Sequence, residues 1–183
     1  MRFMLAKSKK NNLCFSQSGF SLIELMVVFT LVAIISGMGF ASFAGYSRRQ
    51  TLSQAASDLK SIIDRAKFDA LSSVKPASLC PGESLVGYKV VLCSISPLTC
   101  LSSSNSPDYQ LIGICASKDS LVVAKKLPQN ISIVTTNNTT TCSEISFNSL
   151  SNSVKGTPCV IGMLGYSSPL TLSVDQAGNV SIQ

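Results

Sequence analysis

The sequence predicts an α+β chain, with a long N-terminal helix over about residues 20–75 whose C-terminal half packs on an antiparallel β-sheet head at 76–183. Three observations carry this. Residues 20–44, FSLIELMVVFTLVAIISGMGFASFA, hold a single charge in a stretch that exceeds the ~20 residues a helix needs to cross a bilayer. Leu52, Ala55, Ala56, Leu59, Ile62, Ile63, Ala66 and Ala70 then recur at three- and four-residue steps, the period of an amphipathic helix. After Pro76 the pattern changes to short β-branched runs between turn residues.

The first nineteen residues carry Arg2, Lys7, Lys9 and Lys10, and this positive flank orients the start of the apolar run toward the cytoplasm. All nine acidic residues lie after Gly19, so the formal charge of +6 belongs mostly to the leader. Without it, eleven basic residues face nine acidic ones, a balance that gives no support to nucleic-acid binding from bulk charge. An ordinary secretory signal cut near Ser42 to Ala44 would discard the apolar run. Glu24 argues against that, because a charge lowers the hydrophobicity such a signal depends on.

Residues 45–75 continue the helix. No proline interrupts 20–75, so the apolar and the one-sided halves form one helix of roughly 50 residues, ended by Pro76. Arg48, Arg49, Lys60, Asp64 and Lys67 lie elsewhere around the wheel, with Lys60 and Asp64 spaced as an i,i+4 ion pair. Gly37 and Gly39 each cost ~1 kcal/mol relative to Ala inside a helix and sit among other small residues. They suit close helix contact or a local bend, and both readings stay open.

The head reads as strands at Leu85 to Cys93, Gln110 to Cys115, Leu121 to Leu127, Ile131 to Thr136, Glu144 to Phe147, Val160 to Leu164, Leu170 to Val174 and Asn179 to Ile182. Asp175-Gln-Ala-Gly178 joins the last two as a hairpin with glycine available for positive φ. The stretches 101–108 and 135–141 read as exposed loops. Of seven cysteines, Cys14 lies in the leader, while Cys80, Cys93, Cys100, Cys115, Cys142 and Cys159 follow the apolar segment. With no histidine and no C-x-x-C spacing, three disulfides in an oxidising compartment fit these six better than a zinc site. Fifteen connectivities are possible, of which the short loops Cys93 to Cys100 and Cys142 to Cys159 are favoured pairings.

Catalysis finds no footing. Histidine is absent, paired cysteines are not nucleophiles, and the scattered acids form no close pair for acid/base work. The chain is therefore expected to be a non-enzyme with no cofactor and no metal. Lys125 and Lys126, with the surface beside the final hairpin, are the candidates for a nucleic-acid contact, although adjacent lysines are ordinarily solvated charge. Arg48 and Arg49 suit phospholipid headgroups, or simply flank the apolar span.

Glu24 is the remaining anomaly, since a carboxylate near the top of a membrane helix costs at least ~2.5 kcal/mol on insertion scales unless a cation meets it. A cut between Gly19 and Phe20 supplies one, placing a new α-amino group a helical turn from Glu24. The same cut removes the four leader positives and Cys14.

The stretch KKNNLCFSQSGFSLIELMVV resembles a type III signal sequence, the class cut by prepilin peptidase in type IV pilins and type II secretion pseudopilins. The resemblance covers roughly residues 7–45. It implies a leader at 1–19, cleavage between Gly19 and Phe20, N-methylation of Phe20, and Glu24 as the acid required for assembly with a neighbouring subunit. The continuing helix, LSQAASDLKSIIDRAKFDALSS at 52–73, is similar to that of GspH/FimT-type minor pilins, with Arg65 to Ala70 carrying the likeness. The ending VDQAGNVSIQ resembles the family's final hairpin. Two departures stand out: the cysteine-rich head, and Ala41 where many major pilins carry a helix-breaking proline.

The implied fold is type IV pilin-like, and the implied function is a minor pilin that is incorporated into or primes a type IV pilus. An H-type pseudopilin of a type II secretion system and a DNA-binding minor pilin for transformation are the alternatives, beside a plain single-pass anchor. The implied partners are the peptidase and N-methyltransferase, other pilins or pseudopilins in a helical filament, inner-membrane lipid before assembly and, in the third reading, DNA. The implied location is the bacterial inner membrane with a periplasmic head, then a pilus or periplasmic pseudopilus.

Overall fold

A computed structural model describes residues 19, 21–75, 79–101, 106–134, 142–149, 153–166 and 168–183, except for the side chains of 38–42. The chain divides into two units, Met1–Ser42 and Phe43–Gln183. The described part of the first is helical. Helix α1 runs Leu22–Leu71, with its backbone helical through Gly37 and Gly39, and its first bond is Leu25 N–H to Ser21 O at 3.1 Å.

In the second unit α1 buries the eight residues that the periodicity selects, from Leu52 to Ala70. Four of them are alanines, and Leu59 and Ile63 are the large side chains that the helix adds to the shared core. The helix stops at Leu71, four residues short of the expected end at Lys75. Ser73 turns left-handed at φ +49° while Val74 N–H bonds Asp69 O and Ser73 N–H bonds Ala70 O, a Schellman closure. Glycine normally holds that left-handed position, so Ser73 gives the sequence no stop signal. Tyr88 Oη donates to Val74 O and fixes the chain where it leaves the helix.

The strands are β1 Leu85–Leu92, β2 Tyr109–Cys115, β3 Ser120–Lys125, β4 Ile131–Val134, β5 Glu144–Asn148, β6 Val154–Lys155, β7 Cys159–Gly165, β8 Ser168–Val174 and β9 Val180–Ile182. They form two sheets, of order β3-β2-β1-β5-β6 and β4-β7-β8-β9, and every pairing is antiparallel, as expected. The expected strand positions hold to within one or two residues. Residues 135 and 136 of the fourth, and the loop tips at 102–105 and 135–141, lie outside the described residues. Strand β6, with two residues, is too short to show an alternating pattern, and it was not anticipated. The split into two sheets follows from the chain path: β4 leaves the first sheet after β3, and β5 returns to its opposite side beside β1.

Both sheets share one core with the helix, built on Tyr88, Leu111, Ile145, Ile161, Met163 and Leu172 together with Leu59 and Ile63. Gly87 lets β5 approach β1, since a Cβ there would stand 2.2 Å from Phe147 O. Gln110 is fully buried, with its amide oxygen and nitrogen both satisfied by Leu101 N–H and Leu101 O at 2.9 Å. Disulfides join Cys80 to Cys115, Cys93 to Cys100 and Cys142 to Cys159. The first pins the segment after α1 to the end of β2, the second closes the turn after β1, and the third ties the approach to β5 in one sheet to the start of β7 in the other.

Candidate functional site

The N-terminal segment carries the site. Gly19 is exposed and Phe20 lies outside the described residues. Ser21 accepts the first helical bond, which makes it the N-cap, and Glu24 stands exposed in the first turn, where a negative charge favours the helix. Ser21 to Glu24 also has the S-x-x-E spacing of a capping box. The spacing is visible in the sequence, and it sets Glu24 where its charge favours the helix start.

Leu22, Ile23, Leu25, Met26, Val27, Val28, Phe29, Leu31, Val32, Ile34 and Ile35 are each at least half exposed. At ~1.5–3 kcal/mol per fully buried side chain of this size, covering them is worth well over ten kcal/mol. No single face is spared, so a partner must surround the helix, as a bilayer or a bundle of neighbouring helices does. Among the described residues no helix is long and apolar enough to cross a membrane. The span expected at 20–44 includes Phe20 and the side chains of 38–42, which lie outside the described residues.

The Arg65 to Ala70 segment divides its work. Ala66 and Ala70 face the core, Arg65 Nε lies 3.4 Å from Asp69 Oδ2, and Phe68 is exposed. Lys67 Nζ donates to Asn179 Oδ1 at 2.7 Å, and Lys60 Nζ donates to Val180 O at 2.5 Å, so two helix lysines hold the last strand. The expected partner of Lys60, Asp64, is 3.9 Å away and exposed, a contact worth at most a few tenths of a kcal/mol. In the final turn Gly178 takes φ +74°, and Asn179 backbone and side-chain N–H groups donate to Asp175 at 2.7 and 2.8 Å. These bonds, the backbone one foremost, hold the Asp175 carboxyl below its ordinary range. The latch between helix and hairpin was not legible, because the two lie more than a hundred residues apart in sequence.

Lys125 ends β3 opposite Tyr109, and Lys126 follows it, both exposed. They share that end of the sheet with Asp108, whose N–H bonds Lys125 O and whose carboxylate accepts from Leu127 N–H at 2.8 Å. A carboxylate so near weakens the pair as a phosphate contact. Arg48 and Arg49 stand elsewhere, beside Tyr166 of the β7–β8 turn, with Arg48 Cζ 5.6 Å from the ring centroid. Tyr166 was not singled out in the sequence, where nothing marks it as a neighbour of the helix.

The family model of the prokaryotic N-terminal methylation motif matches residues 14–40. No solved structure matches the chain. The chain thus carries the prepilin signal of type IV pilins and pseudopilins. Such a motif marks structural proteins rather than enzymes, and it implies processing by prepilin peptidase, an N-terminal helix anchored in the inner membrane, and assembly with other pilins.

Proposed function

We propose that the chain is a minor pilin, a structural and assembly subunit of a type IV pilus. Prepilin peptidase cuts between Gly19 and Phe20 and the new terminus is N-methylated. The apolar half of α1 then holds the subunit in the inner membrane, with the disulfide-bonded head in the periplasm, until it is drawn into the filament or primes it. The observation that carries this reading is the stretch Leu22 to Ile35 of α1, exposed and apolar on every side with Glu24 as its one charge.

The physics is an exchange of surroundings. In the bilayer the apolar side chains meet lipid, and in a filament they meet the same segment of neighbouring subunits, so extraction forfeits little apolar burial. Glu24 then decides position: a carboxylate in that setting is stable beside a cation, and the Phe20 amine of a neighbour supplies one. The amine of the same chain lies one turn away and can serve the subunit before assembly.

Two substitutions separate the charge of Glu24 from the polarity of its side chain at the helix start. Glu24→Gln keeps a side chain suited to a capping box and removes the charge, whereas Glu24→Ala removes both. Both variants should be cut normally and both should be missing from sheared filaments, as read by immunoblot. Normal incorporation of either refutes the pairing, and loss of exoprotein secretion with intact pili in a deletion strain would reassign the chain to a type II secretion system.

A further inference from the structure

Arg48, Arg49 and Tyr166 build a small basic recess wholly within the second unit. A cavity of about 180 Å³ is lined by Gly45, Arg48, Arg49, Gly165, Tyr166 and Ser168. Tyr166 holds a left-handed backbone, φ +52°, at the hairpin tip, and its ring sits against the Arg48 guanidinium. Gly165 fits the tip against the helix, since a Cβ there would meet Leu52 Cδ1 and Ile131 Cγ1 at 3.1 Å. A segment more than a hundred residues away in sequence thus completes the recess.

Among the described residues no ion pair compensates its charge. No acidic residue stands between Glu24 and Asp58, and residues 159–174 hold no charged residue at all. None of the three ion pairs among the described residues involves Arg48 or Arg49. Guanidinium groups offer up to five donors each in a fork suited to phosphate oxygens, and the Tyr166 ring holds one of them in place. Arg48 also follows the end of the apolar run, Ala44, by four residues, or about 6 Å of helical rise. Phe43 and Tyr46, both about two-thirds exposed, flank the same turn of helix. Aromatic and basic residues at the end of an apolar helix are the composition of a membrane–water interface.

We propose that this recess seats the phosphate of an anionic phospholipid headgroup, so that Arg48, Arg49 and Tyr166 meet the inner membrane before assembly. The inference rests on the membrane-anchored reading of α1. An anionic lipid satisfies both arginines at the depth where the apolar helix ends, and each basic residue near an anionic surface adds to the attraction. The subunit is held in one orientation until filament contacts replace the lipid.

The chain contains no tryptophan, so Tyr166→Trp places a single reporter at the recess. The full-length variant is reconstituted into vesicles of phosphatidylglycerol and phosphatidylcholine, with one or the other brominated on its acyl chains. Brominated phosphatidylglycerol should quench the fluorescence several-fold more than brominated phosphatidylcholine, and Arg48→Gln with Arg49→Gln should abolish the difference. Equal quenching by both lipids before the arginines are changed, or quenching by neither, overturns the proposal. Should Tyr166→Trp not fold, Tyr46→Trp reports from the helix turn that carries Arg48, with the same outcomes. A chain that a carbonate wash strips from the vesicles overturns the membrane-anchored reading and the seat with it, whereas a retained chain without lipid preference overturns the seat alone.

Discussion

Lys67 Nζ meets Asn179 Oδ1 at 2.7 Å, joining the C-terminal half of the helix to the turn before the last strand. Asn179 in turn grips Asp175 through two hydrogen bonds, so one asparagine links the helix to the closure of the hairpin. Lys67→Met and Asn179→Ala should each destabilise the detergent-solubilised chain by about 0.5–1.5 kcal/mol. A double-mutant cycle by denaturant unfolding should give a coupling of a few tenths of a kcal/mol, because the bond is exposed. Additive effects would mean that the contact is not made.

The three disulfides close loops of unequal length, with sequence separations of 35, 17 and 7 for Cys80–Cys115, Cys142–Cys159 and Cys93–Cys100. Replacing a pair by serines frees the unfolded chain more when the loop is longer, so losing Cys80–Cys115 should cost roughly 1–1.5 kcal/mol more than losing Cys93–Cys100. Denaturant midpoints of the three double variants should follow that order. Equal midpoints would show that native-state contacts, not loop closure, set the contribution.

Acid should loosen the head through two carboxylates. The Ser117 hydroxyl and then its N–H bond Glu83, with Lys75 nearby, and hold its carboxyl below the ordinary 4.5, as Asn179 holds Asp175 below 3.8. A lowered folded value means stability that is complete above the unfolded value and is lost as pH falls through the folded one. Unfolding midpoints should therefore drop below about pH 4.5, and Glu83→Gln and Asp175→Asn should flatten the drop. Tyr109 gives the opposite limb. Burial, with Asp58 and Asp108 adding, pushes its hydroxyl up to about 12, so its contribution is whole below pH 10 and disappears as pH rises through 12. A midpoint flat from pH 10 to 12 in the wild-type chain would count against that burial.

The elements that obey a short period were readable in advance. All eight apolar positions from Leu52 to Ala70 are buried, because a helix repeats its face every three or four residues and a core must cover that face. The strands could be read for the same reason, and Gly178 announced its turn. The failures share a cause as well. Ser73 ends the helix in a conformation its side chain does not advertise, and β6 is too short to have a period. The division into two sheets, the Lys67–Asn179 latch and the Tyr166 recess depend on which distant segments meet, a property of the path of the chain. At the N-terminus the order is reversed: Gly19, Phe20 and Glu24 stand out in sequence, and the fold adds only that Glu24 lies exposed in the first turn, three residues after its cap.

The proposed processing leaves a mature chain that begins at the membrane helix. Intact mass spectrometry of the protein purified from its own membranes measures this directly. The expected chain starts at N-methylated Phe20 and is six hydrogens lighter than its fully reduced form, as three disulfides require. A mature chain starting at Gly45, with the apolar run gone, would contradict it.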